Sequence, residues 1–284
     1  MSSQHNAEFK ERERNAWASV ADGWHRRDAL LARGAAPVTE RMLDMAGIRA
    51  GHRVLDIASG VGEPSLTAAK RVGASGRVVG TDLTDAMLDY ARRKAELQGV
   101  TNIEYQCVDG ETLDFPASTF DAVTCRWGLM FMPEPTACLA LVHGVMKDNA
   151  RLAVACWKAP DQNPFVGLLM QVLANHMELP RPPPGTPGIF ALADPQHLQQ
   201  VIESAGFRNV VLESVEIDVV EVENGQQYWE AMSDLAAPIM MLVNQLDTAT
   251  RKAYASEVIA AAEQLRQGDT LRMRGTTWVA SAEK

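Results

Sequence analysis

Short apolar runs alternate with helical stretches through the centre of this chain. The runs typical of strands are, in order, RVLDIA, RVVGT, NIEYQCV, FDAVTC and RLAVACW. The segments between them carry helix signals: Pro64 suits a first helical turn, and Asp85 and Gly99 flank the stretch AMLDYARRKAELQ. Strand, helix and strand at this spacing predict βαβ units, right-handed crossovers and a mostly parallel sheet, which is an α/β fold.

Both ends of the chain depart from this pattern. Residues 1–50 are predicted to be helical and carry Trp17 and Trp24. After Trp157, a helix from about Pro164 to Met177 leads into a proline-rich loop, where helix is forbidden. A further helix then precedes a sixth strand, NVVLESVEIDV, and the chain closes on a last predicted strand within TLRMRGTTWVASAEK.

Three parts of the chain follow from this division. They are a helical segment over residues 1–50, a core over 51–160 with the first five strands, and the remainder of the sheet over 161–284. Residues 225–266, approximately, form a helical insertion rich in Met and Ala between the sixth and the last strand. We expect this insertion to cover one end of the sheet as a substrate cap.

Charge and composition narrow the classes of partner. The 284 residues include 27 basic and 36 acidic side chains, which gives a formal charge of −9. Binding to nucleic acid depends on clustered Lys and Arg, so this balance argues against such a partner and favours a small molecule. No apolar stretch is long enough to span a membrane, and the polar start MSSQHNAEFK predicts a cytoplasmic protein.

The cysteines show neither metal-binding spacing nor a neighbouring histidine cluster, and no metal site is expected. Each lies in an apolar segment, where a free thiol behaves as a small hydrophobic group. We therefore expect four reduced core residues: Cys107, Cys125, Cys138 and Cys156.

The segment VLDIASGVGEPS carries the clearest chemical signal. Gly60 and Gly62 follow a strand and precede a helix, where backbone can approach a ligand closely, although an isolated GxG is more often only a tight turn. Three carboxylates strengthen the signal, because Asp56, Asp82 and Asp109 stand at the ends of the first three strands. Carboxyl ends of parallel strands form the ligand crevice of open α/β sheets, so these positions predict a nucleoside site.

The residues after the glycines restrict which nucleoside fits. A dinucleotide fingerprint needs a third glycine where this chain has Ser65, and Glu63 would repel a pyrophosphate at the helix start. An acidic loop instead suits a cationic cofactor without phosphate, such as S-adenosylmethionine (SAM). Two alternatives remain open: an NAD(P)-dependent oxidoreductase, and a non-catalytic module that binds SAM.

Three segments in succession resemble a known family. VLDIASGVGEPS, VVGTDLTDAML and CVDGETLDFPASTFDAV look like the ordered motifs of class I SAM-dependent methyltransferases, close to the UbiE-type quinone C-methyltransferase branch. The resemblance is firm from Gly51 to Trp157 and loose over AGFRNV and the last strand. It implies a Rossmann-like seven-stranded sheet with an antiparallel last strand, a role for TTWVASA, and N-terminal helices that close over the cofactor.

The resemblance also implies a set of residues that bind SAM, and the product S-adenosylhomocysteine. They are Asp56, Ala58, Ser59, Gly60, Gly62, Asp82, Leu83, Met87, Asp109, Gly110, Arg126 and Trp127. Within this set Asp82 would hold the ribose, Asp109 and Gly110 the adenine, and Arg126 would border the methionine end. Ala58 stands where the family has glycine, so we expect its backbone to keep an ordinary, negative φ.

Methyl transfer from a sulfonium is an in-line displacement, to which alignment of the reactants can contribute most. A general base is needed only when the acceptor must lose a proton, and His25 and His176 are the candidates, with Glu63 as a carboxylate alternative. Aromatic and Met side chains favour an apolar or aromatic small-molecule acceptor and a monomeric or homodimeric enzyme. The candidate pocket residues are Trp127, Met130, Phe131, Met132, Trp157, Phe165, Trp229, Met232, Met240 and Met241.

Overall fold

The computed structural model describes residues 3–180, 183 and 185–284. Its centre is a seven-stranded sheet with strand order β3-β2-β1-β4-β5-β7-β6. The strands are β1 (Arg53–Ile57), β2 (Arg77–Asp82), β3 (Ile103–Cys107), β4 (Phe120–Arg126), β5 (Met146–Trp157), β6 (Arg208–Val222) and β7 (Leu271–Glu283).

Strand direction confirms the sheet expected from the sequence. The neighbours from β3 to β5 pair in parallel, and β7 runs antiparallel to both β5 and β6. The order reverses between β1 and β4, which opens a crevice beyond the carboxyl ends of these strands. Strand β5 is irregular near its start, where its register with β4 shifts and Asn149 has a φ of 63°.

Ten α-helices surround the sheet in the described part of the chain. They are α1 (Ser3–Arg26), α2 (Asp28–Met45), α3 (Ser65–Val72), α4 (Asp85–Leu97), α5 (Pro135–Val145), α6 (Pro164–Leu173), α7 (Pro195–Ser204), α8 (Gly225–Leu235), α9 (Ala237–Val243) and α10 (Thr248–Glu263). Helix α6 ends before Met177, because the backbone turns after Leu173. The proline-rich loop lies partly outside the described residues.

Helices α8, α9 and α10 form the insertion between β6 and β7 and are fixed to α6 from within the core. The buried hydroxyls of Tyr228 and Tyr254 donate hydrogen bonds to the carbonyl oxygens of Phe165 and Leu169, at 2.7 and 3.1 Å. These bonds satisfy the polar ends of two large buried rings, so the insertion packs as part of the body of the protein.

The N-terminal helix α1 packs against this insertion. Arg26 and Arg27 both form ion pairs with Asp234 at the end of α8, and the Trp24 indole donates to the Leu235 carbonyl at 3.3 Å. Gly23 permits the approach, because a Cβ there would lie 2.5 Å from the Asp234 carbonyl oxygen. The position of α1 is therefore set by residues far away in the sequence.

Cysteine burial differs from the sequence expectation at one position. Cys125, Cys138 and Cys156 are buried free thiols, whereas Cys107 is exposed. Cys107 ends β3, the edge strand, where only one neighbouring strand covers it. Among the described helices, none combines the length and the apolar character needed to cross a membrane.

Asn163 is a buried hydrogen-bonding centre that joins the segment after β5 to β7. Its side-chain amide donates to the carbonyls of Lys158, Ala159 and Thr276, at 2.9 to 3.2 Å, and its oxygen accepts from the Thr276 amide at 3.0 Å. Four backbone groups thus depend on one fully buried side chain.

We expect Asn163→Ala to lower the free energy of unfolding by about 3 kcal/mol, because the Lys158 carbonyl and the Thr276 amide lose their side-chain partner, while the Ala159 and Thr276 carbonyls keep backbone donors. Urea denaturation should show a lower midpoint with an unchanged slope. The exposed Gln226→Ala on α8 is the control and should change stability by less than about 0.5 kcal/mol. Equal midpoints for the two variants would contradict this role of Asn163.

Candidate active site

The loop between β1 and α3 is shaped by its two glycines. Gly60 and Gly62 have φ angles of 53° and 115°, in the region that favours glycine. The Asp82 carboxylate at the end of β2 accepts a hydrogen bond from the Gly60 amide at 2.9 Å and another from the Thr84 amide at 3.0 Å. The loop is thereby fastened to the neighbouring strand end, and desolvation raises the pKa of Asp82 to about 6.

Asp56 lies beneath this loop and is completely buried. Its two oxygens accept hydrogen bonds from the hydroxyls of Ser65 on α3 and Thr124 on β4, the latter at 2.7 Å. Burial raises the pKa of Asp56 to about 6, although both hydroxyls act in the opposite direction. Ser65, where a dinucleotide site would have glycine, thus has a structural partner.

Ala58 does not have the ordinary φ expected from the sequence, which is a correction to that expectation. Its φ is 58°, and Trp127 at the end of the neighbouring β4 has a φ of 60°. Gly128 makes room for the Ala58 methyl group, because a Cβ on Gly128 would lie 2.3 Å from the Ala58 Cβ. Left-handed backbone at a non-glycine residue is unfavourable and needs support from its surroundings.

Arg126, the last residue of β4, holds a positive charge in the same crevice. Its guanidinium donates to the Thr39 hydroxyl and, at 3.0 Å, to the Glu63 carbonyl oxygen, and both of these partners are uncharged groups. Burial lowers the pKa of Arg126, while the carboxylates of Glu63, Asp56 and Asp28 partly offset the effect. The guanidinium is therefore a desolvated cation that an anionic group of a ligand would stabilise.

These groups open onto one large cavity of about 1180 Å³, counting the part that is open to solvent. Ten of the twelve expected cofactor-binding residues line it, and Asp56 and Gly62 do not. Asp56 is enclosed beneath the loop, and Gly62 faces Leu66 and Tyr105 instead. The ten residues are Ala58, Ser59, Gly60, Asp82, Leu83, Met87, Asp109, Gly110, Arg126 and Trp127.

Helix α1 forms the opposite wall of the cavity. Phe9, Glu13, Trp17 and Trp24 line it at the spacing of one helical face, together with Lys10. This spacing is visible in the sequence, but it does not reveal what the face packs against, so Glu13 and both tryptophans were missed as candidates for the site.

Lys10 links α1 to the turn after β3. Its ammonium forms ion pairs with Asp109, at 2.7 Å, and with Glu111. Burial alone would lower the pKa of Lys10, but the hydrogen bonds that its ammonium donates to these carboxylates raise it overall. The expected adenine-binding carboxylate of Asp109 is thus shared with the wall helix.

Both candidate catalytic histidines lie away from the cavity. His25 is exposed and stacks on Tyr90 at 4.2 Å, because it follows Trp24 and is turned about 100° from the cavity face of α1. His176 is hydrogen-bonded to Glu257 of α10 at 3.0 Å. Among the described residues that line the cavity there is no histidine.

The inserted helices also contribute nothing to the lining within the described residues. Of the aromatic and Met candidates, Trp127, Phe131 and Met132 line the cavity. Trp157 stacks behind Trp127 at 4.3 Å and supports it from the core. The insertion that the sequence analysis expects as a substrate cap contacts α1 at Asp234 and Leu235 and does not line the cavity among the described residues.

The donor and acceptor groups of the cavity fit SAM. SAM carries an ammonium, a sulfonium and a carboxylate besides its nucleoside. Carboxylates line the crevice for the cationic groups, the desolvated Arg126 offers a partner for the carboxylate, and Asp82 stands where a ribose would be held. The aromatic rings of the wall also suit a sulfonium.

Comparison with known proteins identifies the family. A family model described as a methyltransferase domain matches residues 54–149. The chain is 30% identical over 196 residues to the ubiquinone/menaquinone biosynthesis C-methyltransferase UbiE of Cronobacter sakazakii, an alignment that covers 66% of this chain and 78% of that relative. The chain belongs to the class I SAM-dependent methyltransferases. It is an enzyme of this class, with SAM as its cofactor and S-adenosylhomocysteine as the product, so the oxidoreductase and the non-catalytic alternatives are set aside.

Solved structures share the fold of this methyltransferase. YcgJ from Bacillus subtilis aligns with a TM-score of 0.55 at 18% identity and covers 87% of this chain and 97% of that one. Phosphoethanolamine N-methyltransferase 2 of Haemonchus contortus, in complex with SAM, aligns with a TM-score of 0.53 at 15% identity, over 87% of this chain and 52% of that one.

We expect Gly128→Ala to destabilise the methyltransferase by about 1–3 kcal/mol, because the new methyl group overlaps that of Ala58. Gly128 has a φ of −99°, which alanine tolerates, so the cost reports the new contacts, of which the one with Ala58 is the closest and the one with the Cys125 sulfur, at 3.2 Å, is the next. Thermal or urea denaturation of the single variants and of the double variant Ala58→Gly/Gly128→Ala measures it. The double variant should lose clearly less stability than Gly128→Ala.

Gly144→Ala is the matched control. It lies within α5, and a Cβ there meets no atom within 4 Å, so alanine should be neutral or stabilising. If Gly128→Ala behaves like this control, Ala58 and Gly128 are not coupled.

Proposed function

We propose that this methyltransferase transfers the methyl group of SAM to an apolar or aromatic small molecule bound against the α1 wall. The observation that carries the proposal is a continuous set of aromatic rings facing the glycine loop. Trp17 packs edge-to-face on Trp24 at 5.7 Å and on Phe131 at 5.3 Å, and all three line the cavity. Flat apolar acceptors bind well to such walls.

The lining of the cavity supports a division between two ligands. Residues at the strand ends line one side, and aromatic residues of α1 line the other. We assign the strand ends to the cofactor: Asp82 to the ribose, Asp109 and Gly110 to the adenine, and Arg126 to the methionine carboxylate. The acceptor then takes the remaining part, between Trp24 and Trp127.

The three parts of the chain have different roles in binding the cofactor and the acceptor. Residues 51–160 hold the cofactor, residues 1–50 close over it and supply the acceptor wall, and residues 225–266 support α1. Arg26 and Arg27 carry that support through Asp234.

The chemistry needs little beyond alignment. Bound SAM supplies a methyl group that its sulfonium already makes electrophilic. The chain orients the two ligands with the glycine loop on one side and the rings of Trp17 and Phe131 on the other, and α1 excludes water. Because His25 and His176 lie outside the cavity, we assign no proton transfer to them. Quinone-like molecules are the first acceptors to test, because the UbiE relatives are named for ubiquinone and menaquinone biosynthesis.

Acceptor identity is tested with labelled SAM and a panel of quinones, phenols and amines. Transfer should favour flat apolar acceptors, and Phe131→Ala should raise the KM for them about tenfold while the Kd for SAM changes less than about twofold. Leu97→Ala, which is 87% exposed on α4, is the control. Transfer confined to highly polar acceptors, or an equal loss of SAM affinity, would contradict the proposal.

We expect SAM affinity to fall about tenfold as the pH drops from 7.5 to 5. Asp82, whose pKa is about 6, is charged above that pH and protonated below it, and a cationic ligand favours the charged form. Titration calorimetry across this range should show the loss below about pH 6. The pKa of Asp56 is similar, but its oxygens face Ser65 and Thr124 and not the cavity.

Asp82→Asn should flatten this pH profile and weaken binding at pH 7.5. Asp89→Asn, an exposed carboxylate on α4 that pairs with Arg92, should keep the profile of the unmodified protein. The same SAM affinity at pH 5 and 7.5 would show that Asp82 does not face the cationic cofactor.

A further inference from the structure

One carboxylate in the cavity differs from the rest. The Oε2 atom of Glu13 is buried, and no hydrogen-bond partner for it exists among the described residues. Each of the other five lining carboxylates has a partner: Asp28 with Lys94, Glu63 with Thr67, Asp82 with Gly60 and Thr84, and Asp109 and Glu111 with Lys10.

A buried carboxylate oxygen without a hydrogen bond is costly, because it has lost water without gaining a donor. Burial raises the pKa of Glu13, while the charge of Arg12 and a hydrogen bond from the Trp17 indole act in the opposite direction. Arg12 itself lies over the Phe9 ring, 5.0 Å from its centre. The Oε2 atom of Glu13 nevertheless has no partner, and a donor on a ligand in the cavity would supply the missing hydrogen bond.

Helix geometry places Glu13 over the nucleoside half of the cavity. Glu13 lies about 4.5 Å along the axis from Lys10 and about 6 Å from Trp17. Lys10 is held by Asp109 at the end of β3, and Trp17 packs in one cluster with Met87 of α4. The intervening turn of α1 thus lies between the turn after β3 and α4, the helix that follows β2, whereas Arg126 stands at the end of β4.

We infer that Glu13 is a nucleoside-binding residue of α1, whose carboxylate accepts hydrogen bonds from the amine or the ribose hydroxyls of SAM. The inference rests on the placement of the nucleoside between Asp82 and Asp109. It assigns part of the cofactor affinity to the wall helix. Cofactor binding and closure of α1 are then one event, because the wall gains its missing partner only from the bound nucleoside.

Calorimetric titration of three ligands tests this assignment: SAM, S-adenosylhomocysteine and 5′-methylthioadenosine, which lacks the amino-acid part. Glu13→Leu should weaken all three by a similar factor, about tenfold or more, and Glu13→Gln, which keeps one acceptor oxygen, by less. Glu11→Gln, an exposed carboxylate of the same helix paired with Arg14, is the control and should bind all three normally.

The set of ligands whose affinity falls in the Glu13→Leu variant decides where Glu13 binds the cofactor. A loss for SAM and S-adenosylhomocysteine but not for 5′-methylthioadenosine would place Glu13 at the amino-acid end and overturn the inference, as would unchanged affinity for all three. S-inosylhomocysteine, which lacks the exocyclic amine, identifies the donor: the Glu13→Leu loss disappears with it if the amine is the partner and persists if the hydroxyls are.

Stability without ligand separates a binding role from a structural one. The melting temperature of ligand-free Glu13→Leu should equal or exceed that of the unmodified protein, since a partly buried carboxylate with an unsatisfied oxygen is removed. A lower melting temperature would make Glu13 structural and overturn the inference. Asp82→Ala is the reference: if it leaves nucleoside affinity intact, the placement of the cofactor is what fails.

Discussion

The buried carboxylate of Asp56 constrains the glycine loop between β1 and α3 and the elements that meet there. Two oxygens without access to water must be satisfied by protein groups, and the hydroxyls of Ser65 and Thr124 do so. These bonds fix the start of α3 and the end of β4 relative to β1. The loop between β1 and α3 therefore has fixed ends, and its Gly60 amide lies within reach of Asp82. The buried Asp56 side chain thus determines the position of the loop backbone that faces the cavity.

Two charged side chains of the cavity lack a full set of partners in the ligand-free protein. At one end Arg126 is desolvated and bonded only to neutral groups, and at the other Glu13 has an unsatisfied oxygen. A chain selected for stability alone would pair both groups more fully, because burying a charged group with incomplete partners costs free energy. The positive charge of Arg126 and the negative charge of Glu13 match a ligand that has a carboxylate at one end and hydrogen-bond donors at the other. Groups of this kind lower the stability of the ligand-free protein and favour binding of such a ligand.

Local pattern was sufficient for the central βαβ units, because buried parallel strands appear as short apolar runs bounded by glycine. The same pattern also predicted that Asp82 and Asp109 lie at the site, because the topology of a parallel sheet brings the carboxyl ends of its strands to one edge. The antiparallel β7 came from resemblance to a family. What local pattern could not give depends on contacts between distant segments: which residues of α1 line the cavity, the outward position of His25, and the φ of Ala58, which Gly128 in the loop after β4 makes possible. Such pairings leave no periodic signal in one sequence.

Closure of α1 has a kinetic consequence. Lys10, Asp28 and Arg27 tie the first two helices to three separate parts of the molecule, at Asp109, Lys94 and Asp234. While these contacts hold, α1 walls the cavity on one side, and a ligand passes only through the part that is open to solvent. If exchange of the spent cofactor requires these contacts to break, a motion of the scaffold, and not the methyl transfer, sets the pace of the cycle.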